Sequence, residues 1–222
     1  MLSPSGPVLL NIGDLLAVIA FLTMAIGNIV AIQQSSVKRM LAYSSISHAG
    51  YLLVAIVSGN DNGASSLMLY SLVYTITNLG AFTVAWLMNR SEGVYSFDDY
   101  NGLSSRHPAL AGLMALFMIS LAGIPPTGGF FGKYYIFYSA LRTGNLWLAI
   151  SMALFSAISV YYYLKIIVHM YMKPTTESSE PIQWGGTVGV GLAICAVVIL
   201  ATGLFPSSWV NLVGTGVKAL GM

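Results

Sequence analysis

Charge is the scarcest commodity in this sequence. Of 222 residues, 7% are charged and 56% are hydrophobic. A soluble domain carries far more charge than that, so a soluble globular protein is excluded. Cysteine is nearly absent. Cys195 is the single one and lies in an apolar run, which excludes an internal disulfide, a CxxC pair and a cysteine-ligated cluster. No His/Cys grouping has the spacing for haem, iron–sulfur or zinc, so neither a metal nor a bound cofactor is expected in this chain. There is no glycine-rich phosphate loop. A net charge of +2 with no basic tract gives no reason to expect a nucleic-acid partner. Met1–Asn11 has no basic stretch ahead of an apolar one, so no signal peptide is expected. Carboxylates are missing from the apolar runs: Asp14, Asp61, Glu92, Asp98, Asp99, Glu177 and Glu180 all fall in turns or at the ends of runs.

What is present is a series of apolar stretches of ~20 residues, the length that crosses a bilayer as helix. The expected fold is all-α, a polytopic transmembrane helix bundle of about six spans, the fourth discontinuous. Residues 1–13 read as a loop with Pro4, Gly6 and Pro7. Span one covers about Asp14–Gln33, with Asp14 placed to cap it. Span two covers about Val37–Ser58 and is unusually polar in its first half. Gly59–Gly63 is a turn signal. Span three covers about Ser65–Asn89, and residues 90–108 form the most polar loop. Span five covers about Leu146–Met172, residues 173–183 form an exposed loop, and span six covers about Trp184–Leu204. The tail after Pro206 is suited to lie along the interface. Alternate loops then share a side, with Lys38, Arg39, Arg90, Arg106 and Lys173 on one and Arg142 and Lys218 on the other. That asymmetry puts the first set in the cytoplasm, 1–13 outside and 173–183 inside.

The fourth span, residues 109–141, dominates the reading. As one straight helix it would run to roughly 50 Å, against a hydrocarbon core of roughly 30 Å. Its middle is Gly123-Ile124-Pro125-Pro126-Thr127-Gly128-Gly129. Two prolines remove backbone donors and clash with the preceding turn, so two half-helices joined by an unwound patch are expected. Lys133 is expected on the first turn of the second half. Broken helix at membrane depth is tolerated where protein or a wet cavity satisfies the freed backbone, and a charge beside it is usually functional. A lysine shielded from water can take and give a proton near neutral pH; the bland reading is a lysine that snorkels to the interface.

Three further groups carry candidate chemistry. Lys165, His169 and Lys173 are four residues apart and line one helix face, with Tyr161 extending the stripe inward as a possible proton track from the cytoplasm. His48 shares a face with Ser44 and Tyr51, which suits a proton relay or a packing histidine that links helices. Tyr70, Tyr74 and Asn78 recur every fourth residue and are neutral groups able to order water. The glycines Gly185, Gly186, Gly189 and Gly191 read as close helix packing.

Three motifs, Val37–Tyr51, Ser120–Lys133 and Ser159–Lys165, resemble the antiporter-like membrane subunits of respiratory complex I, most of all the subunit N branch. The resemblance covers nearly the whole chain. It implies that members have fourteen spans with two inverted five-helix repeats, and that this chain corresponds to spans nine to fourteen. Residues 14–172 would be the second repeat, and 184–222 the final span and interfacial tail. It also implies that Lys133 is the central protonatable residue of a half-channel, with Gly123, Pro125, Pro126, Gly128 and Gly129 forming the helix break. By the same resemblance, the other large antiporter-like subunits carry histidine and lysine on the span where this chain has Tyr70, Tyr74 and Asn78.

The function this implies is proton translocation by a subunit of NADH:quinone oxidoreductase. The proton-transfer candidates are Lys133, Lys165, His48 and His169, and Tyr70, Tyr74, Asn78, Ser44 and Tyr51 are the water-ordering ones. Flavin, iron–sulfur clusters and quinone would belong to other subunits. Partners would be other membrane-arm subunits, lipid and the transported proton, in a bacterial inner membrane. The alternatives are a subunit of a multi-subunit cation/proton antiporter and a structural membrane-arm subunit.

Overall fold

The computed structural model describes residues 12–59, 61–92, 96–175 and 184–219. Most of the expected 1–13 loop and of the 173–183 loop lies outside them. Within them the chain is helical: α1 (Ile12–Ile32), α2 (Val37–Ser58), α3 (Asp61–Glu92), α4 (Leu103–Arg106), α5 (Pro108–Ala122), α6 (Gly128–Arg142), α7 (Leu146–Met172), α8 (Gly186–Leu204) and α9 (Pro206–Ala219). Among the described residues α1, α2, α3, α7 and α8 are each long and apolar enough to cross a membrane. With the broken pair α5–α6 this makes the expected multi-pass helical bundle.

Local chemistry sets the ends. Ser36 caps α2, its hydroxyl accepting from the Arg39 N–H at 3.5 Å. Gly59, in the left-handed region at φ 56°, closes that helix, as a residue without Cβ does most cheaply. Pro108 opens α5, where its missing N–H costs nothing. Several expected limits shift. Asp14 lies inside the first turn of α1 rather than at its cap, where its charge still favours the helix N-terminus. The turn at 59–63 is shorter than expected, because α3 already begins at Asp61. The polar loop 90–108 is also more ordered than its composition suggests. α3 runs on to Glu92, Ser96 bridges to Ser36, Asp98–Tyr100 forms a 3-10 turn, and α4 meets α5 at a sharp bend.

α3 is the central element and touches α2, α5, α6, α8 and α9, while α6 is enclosed by α2, α3, α5, α7 and α8. Two apolar clusters form the interior. One, towards the 33–36 turn, joins Met40, Leu41, Met88, Phe117, Tyr163 and Met170. The other, towards the opposite end, joins Met24, Tyr51, Val54, Tyr70, Ile136 and Met152. The expected glycine stripe at the start of α8 does not pack a neighbouring helix. A side chain at Gly185, Gly186 or Gly191 would meet open space, and one at Gly189 would meet only Trp184. The close approaches are elsewhere, above all at Gly129 against the Ser120 carbonyl and Gly203 against the Pro126 carbonyl. Both hold the break between α5 and α6.

Candidate functional site

The break consists of Gly123–Thr127. Gly123 sits at φ 81°, and its N–H reaches back to the Ile119 and Ser120 carbonyls, which ends α5 in the left-handed manner glycine permits. A cis bond joins Pro125 to Pro126. α6 restarts at Gly128, with the Gly129 N–H donating to the Ser120 hydroxyl at 3.3 Å. The two halves are therefore stitched together across the gap rather than loosely hinged.

Lys133 falls on the second turn of α6, one turn later than expected, because the helix starts only after Thr127. It does not snorkel: 7% of it is exposed. Its amine donates to the carbonyls of Leu121 (2.8 Å) and Ala122 (3.1 Å) and to the Ser156 hydroxyl on α7 (3.0 Å). The Tyr51 ring lies 5.1 Å below the nitrogen, within range of a cation–π contact. Two of these partners are the last carbonyls of α5, whose partial negative charge favours a cation. An ammonium has three N–H groups, and three acceptors are in place. The neutral amine has two and a lone pair, to which the Ser156 hydroxyl can turn and donate, so one proton can leave while both carbonyls keep a donor. The site is built for the charged form and can change state locally. A groove of about 320 Å³ reaches the amine between α6 and α7, lined by Phe130, Tyr134, Phe137, Ser156 and Ala157 among others.

His48 is buried, with both ring nitrogens engaged. Nδ1 pairs with the Tyr70 hydroxyl, and Nε2 with the Tyr163 hydroxyl at 2.9 Å. Tyr70 belongs to one apolar cluster and Tyr163 to the other, so the imidazole bridges the two halves of the interior. Tyr74 stacks on it at 4.6 Å between centroids and accepts from Asn78 at 3.1 Å. Tyr51 meets the His48 ring edge-on, which sets Lys133 and His48 on two sides of one tyrosine. The Tyr51 hydroxyl is buried beside the Asn28 and Ser159 side chains. Ser44 donates to the Leu41 carbonyl at 2.7 Å.

The third group gathers at the cytoplasm-expected end of α7. His169 Nδ1 donates to Asn101 Oδ1 at 2.9 Å, and Asp98 Oδ1 lies 3.6 Å from the same nitrogen and 3.6 Å from Lys173 Nζ. Lys165 places its amine 4.2 Å from the centre of the Phe97 ring. Tyr161 does not extend this stripe inward. It is 62% exposed, because one residue before Tyr162 is about 100° away around the helix. Tyr162 takes the inward place and donates to Asn28 at 3.0 Å.

Sequence reasoning did not single out Ser156, Tyr163, Asn28 or the Asp98–Asn101 pair as parts of the site. Asn28 carried a signal, being an amide alone in an apolar run. Ser156 carried none, since its role depends on where α6 packs.

Compared with known proteins, residues 2–159 match the family described as NADH:quinone oxidoreductase/Mrp antiporter, transmembrane. NADH-quinone oxidoreductase subunit N of Trichlorobacter lovleyi is 46% identical over 208 residues, covering 93% of this chain and 43% of that protein. The chain thus spans about two fifths of the length of the curated relatives it matches. Among solved structures, respiratory complex I from Thermus thermophilus with bound aureothin superposes with a TM-score of 0.77 at 32% identity, covering 89% of this chain and 45% of the other. The membrane-bound sulfane sulfur reductase, an archaeal respiratory membrane complex, superposes with a TM-score of 0.85 at 28% identity, covering 93% and 42%. On the family match, which takes in most of its length, the chain belongs to the NADH:quinone oxidoreductase/Mrp antiporter transmembrane family.

Proposed function

We propose that this chain forms the second half-channel of a proton-translocating, subunit N-type membrane subunit of NADH:quinone oxidoreductase, with Lys133 as its switching residue. The observation that carries the reading is the buried Lys133 amine, held by two helix-end carbonyls and one hydroxyl at a helix break. A second positive charge arriving at ~4 Å disfavours the ammonium by ~4 kcal/mol at an effective dielectric of about 20. That is enough to move a proton off a site whose two forms differ by a single donor. Protons reach Lys133 from the Asp98–His169–Lys173 end of α7, past Tyr162 and the serines Ser159 and Ser156, with Lys165 contributing charge at the mouth. Quinone chemistry, flavin and iron–sulfur clusters reside in other subunits, and this chain's own work is proton transfer. The protein sits in a bacterial inner membrane against other membrane-arm subunits and lipid.

Lys133→Met in the full-length protein tests this directly. Proton pumping in membrane vesicles should fall to background while the complex still assembles. Unchanged stoichiometry with normal assembly would sink the proposal. Eight curated relatives at 40–46% identity are subunit N proteins, which favours this reading over the cation/proton antiporter branch of the family. Sodium-dependent acidification in vesicles without quinone turnover would favour that branch instead.

A further inference from the structure

Beside Lys133 the bundle is not closed. The groove of about 320 Å³ between α6 and α7 runs along Phe130, Tyr134 and Phe137 on one side and Met152, Ala153 and Val160 on the other. Tyr134 and Ala153 are exposed, so the mouth opens sideways on the flank of the bundle. The flank itself is apolar: Ile150 and Leu154, the exposed neighbours of Ala153 on α7, are aliphatic. The amine is anchored to the last residues of α5, a helix of 15 residues and so ~22 Å long. Lys133 therefore lies at hydrocarbon depth, and a ligand reaches it from the hydrocarbon rather than from water.

Charge selects the ligand. Among the described residues that line the groove, Lys133 is the only charged one, and none is a carboxylate. Position 123 leaves the amine open on the groove side. A Cβ there would come 3.4 Å from Lys133 Nζ and 2.9 Å from Cδ, and glycine supplies none. Of the three groups that hold the amine, the Leu121 and Ala122 carbonyls are backbone of α5, whereas Ser156 holds it by a side chain that lines the groove. The third partner can therefore be exchanged without moving a helix. Apolar walls with a few convergent polar groups are the usual form of a small-molecule site. A cation at this depth favours an anion that brings its own hydrogen-bond acceptors.

We propose that this groove binds a long-chain carboxylic acid drawn from the membrane, with its carboxyl group on Lys133 Nζ and its chain between α6 and α7. The acid enters neutral, because a carboxylate does not cross hydrocarbon. On meeting the neutral amine its O–H bond breaks and an N–H bond forms, which leaves a carboxylate and an ammonium with no net charge. The carboxylate accepts the third N–H in place of Ser156, and the Leu121 and Ala122 carbonyls keep the other two. The Ser156 hydroxyl turns to donate to the second carboxylate oxygen, so every polar group is partnered. The apolar chain replaces lipid against Phe137 and Met152. The inference goes beyond the proton-translocation reading and does not rest on it, since binding is read without turnover.

The test uses the full-length protein in its purified complex, held in phosphatidylcholine nanodiscs. The probe is palmitic acid with a diazirine in mid-chain and a terminal alkyne, and adducts are mapped by mass spectrometry after illumination. They should fall on groove residues of α6 and α7 such as Phe137, Met152 and Ala153. Excess palmitic acid should suppress them, whereas methyl palmitate, which has the same chain and no acidic proton, should not. Lys133→Met should reduce labelling by about tenfold or more, as loss of a charge-assisted hydrogen bond does. Ala153→Trp fills the groove from its exposed wall without touching the amine's partners and should abolish labelling, which keeps the test open if Lys133→Met does not assemble. Absence of groove adducts in the wild type overturns the inference, including the case in which a side chain of a neighbouring subunit already fills the groove. Equal competition by methyl palmitate, or undiminished labelling of Ala153→Trp, overturns it too.

Discussion

At the residue scale, His48 and Lys133 differ in what surrounds them, and the difference separates their tests. Lys133 is held by two carbonyls and one hydroxyl, whereas His48 stands between two hydroxyls that can each give or receive. An imidazole in that position holds the fold together whether or not it moves protons. Removing it takes one partner from each of the buried Tyr70 and Tyr163 hydroxyls, and a buried hydroxyl left unsatisfied costs about 1–3 kcal/mol. His48→Ala should therefore lower the melting temperature of the purified protein as well as its pumping, and by itself decides nothing. His48→Gln keeps a donor and an acceptor but does not exchange protons near neutral pH. It should melt close to the wild type and pump far more slowly. Wild-type pumping by His48→Gln would reduce His48 to a packing residue and leave Lys133 to act through Ser156 alone.

At the scale of elements, the break between α5 and α6 depends on backbone contact more than on the two prolines. A methyl group at Gly129 would be driven into the Ser120 carbonyl and hydroxyl. Both are fixed parts of the α5 end, so the half-helices would have to separate. Gly129→Ala should destabilise by about 1–3 kcal/mol or more, as overpacking does, and should displace the Leu121 and Ala122 carbonyls from the Lys133 amine. Gly112 provides the opposite case within α5. It is exposed with nothing near its Cβ position, and Gly112→Ala should stabilise the helix by roughly 0.5–1 kcal/mol. Thermal melts of the two variants should move in opposite directions, and equal shifts would refute the contact argument.

The same element shows how far sequence reading reaches. The break itself was legible, because Pro125, Pro126 and the flanking glycines leave helix no local solution. The limits of α2 and α7 were legible too, set by Ser36, Gly59 and uninterrupted apolar runs. The site's partners were not. Ser156 meets Lys133 across 23 positions of sequence, and nothing local to either announces it. Apolar runs give the length of a span but leave open which face turns inward, and only packing shows that Tyr162 is buried while Tyr161 is exposed. Residues 90–108 read as a plain loop because polar composition reports solvent contact. The Ser96–Ser36 bridge and the Gly102 N–H to His169 carbonyl bond at 3.1 Å order it through tertiary contact instead.

At the scale of the whole molecule, the two ends of the bundle are chemically distinct, and their assignment to the two sides of the membrane fixes the direction of everything above. The Phe97 N–H donates to the Ser35 carbonyl at 3.2 Å, and Lys173 faces Asp98 at 3.6 Å. The turn after α1, the segment before α4 and the end of α7 therefore form one surface, which also holds Lys38, Arg39 and Arg106. The opposite surface has Arg142 and the cavity between α3, α6 and α9. Lys and Arg concentrate on the cytoplasmic side of membrane proteins, so Ser35→Cys should react with an impermeant thiol reagent only from the cytoplasm, and Thr143→Cys only from outside. Both positions are exposed, so a missing reaction reports topology rather than burial. The reverse pattern would leave every distance in the site unchanged but exchange the roles of its two ends, because the Asp98–His169–Lys173 group would then face the outside and discharge protons rather than collect them.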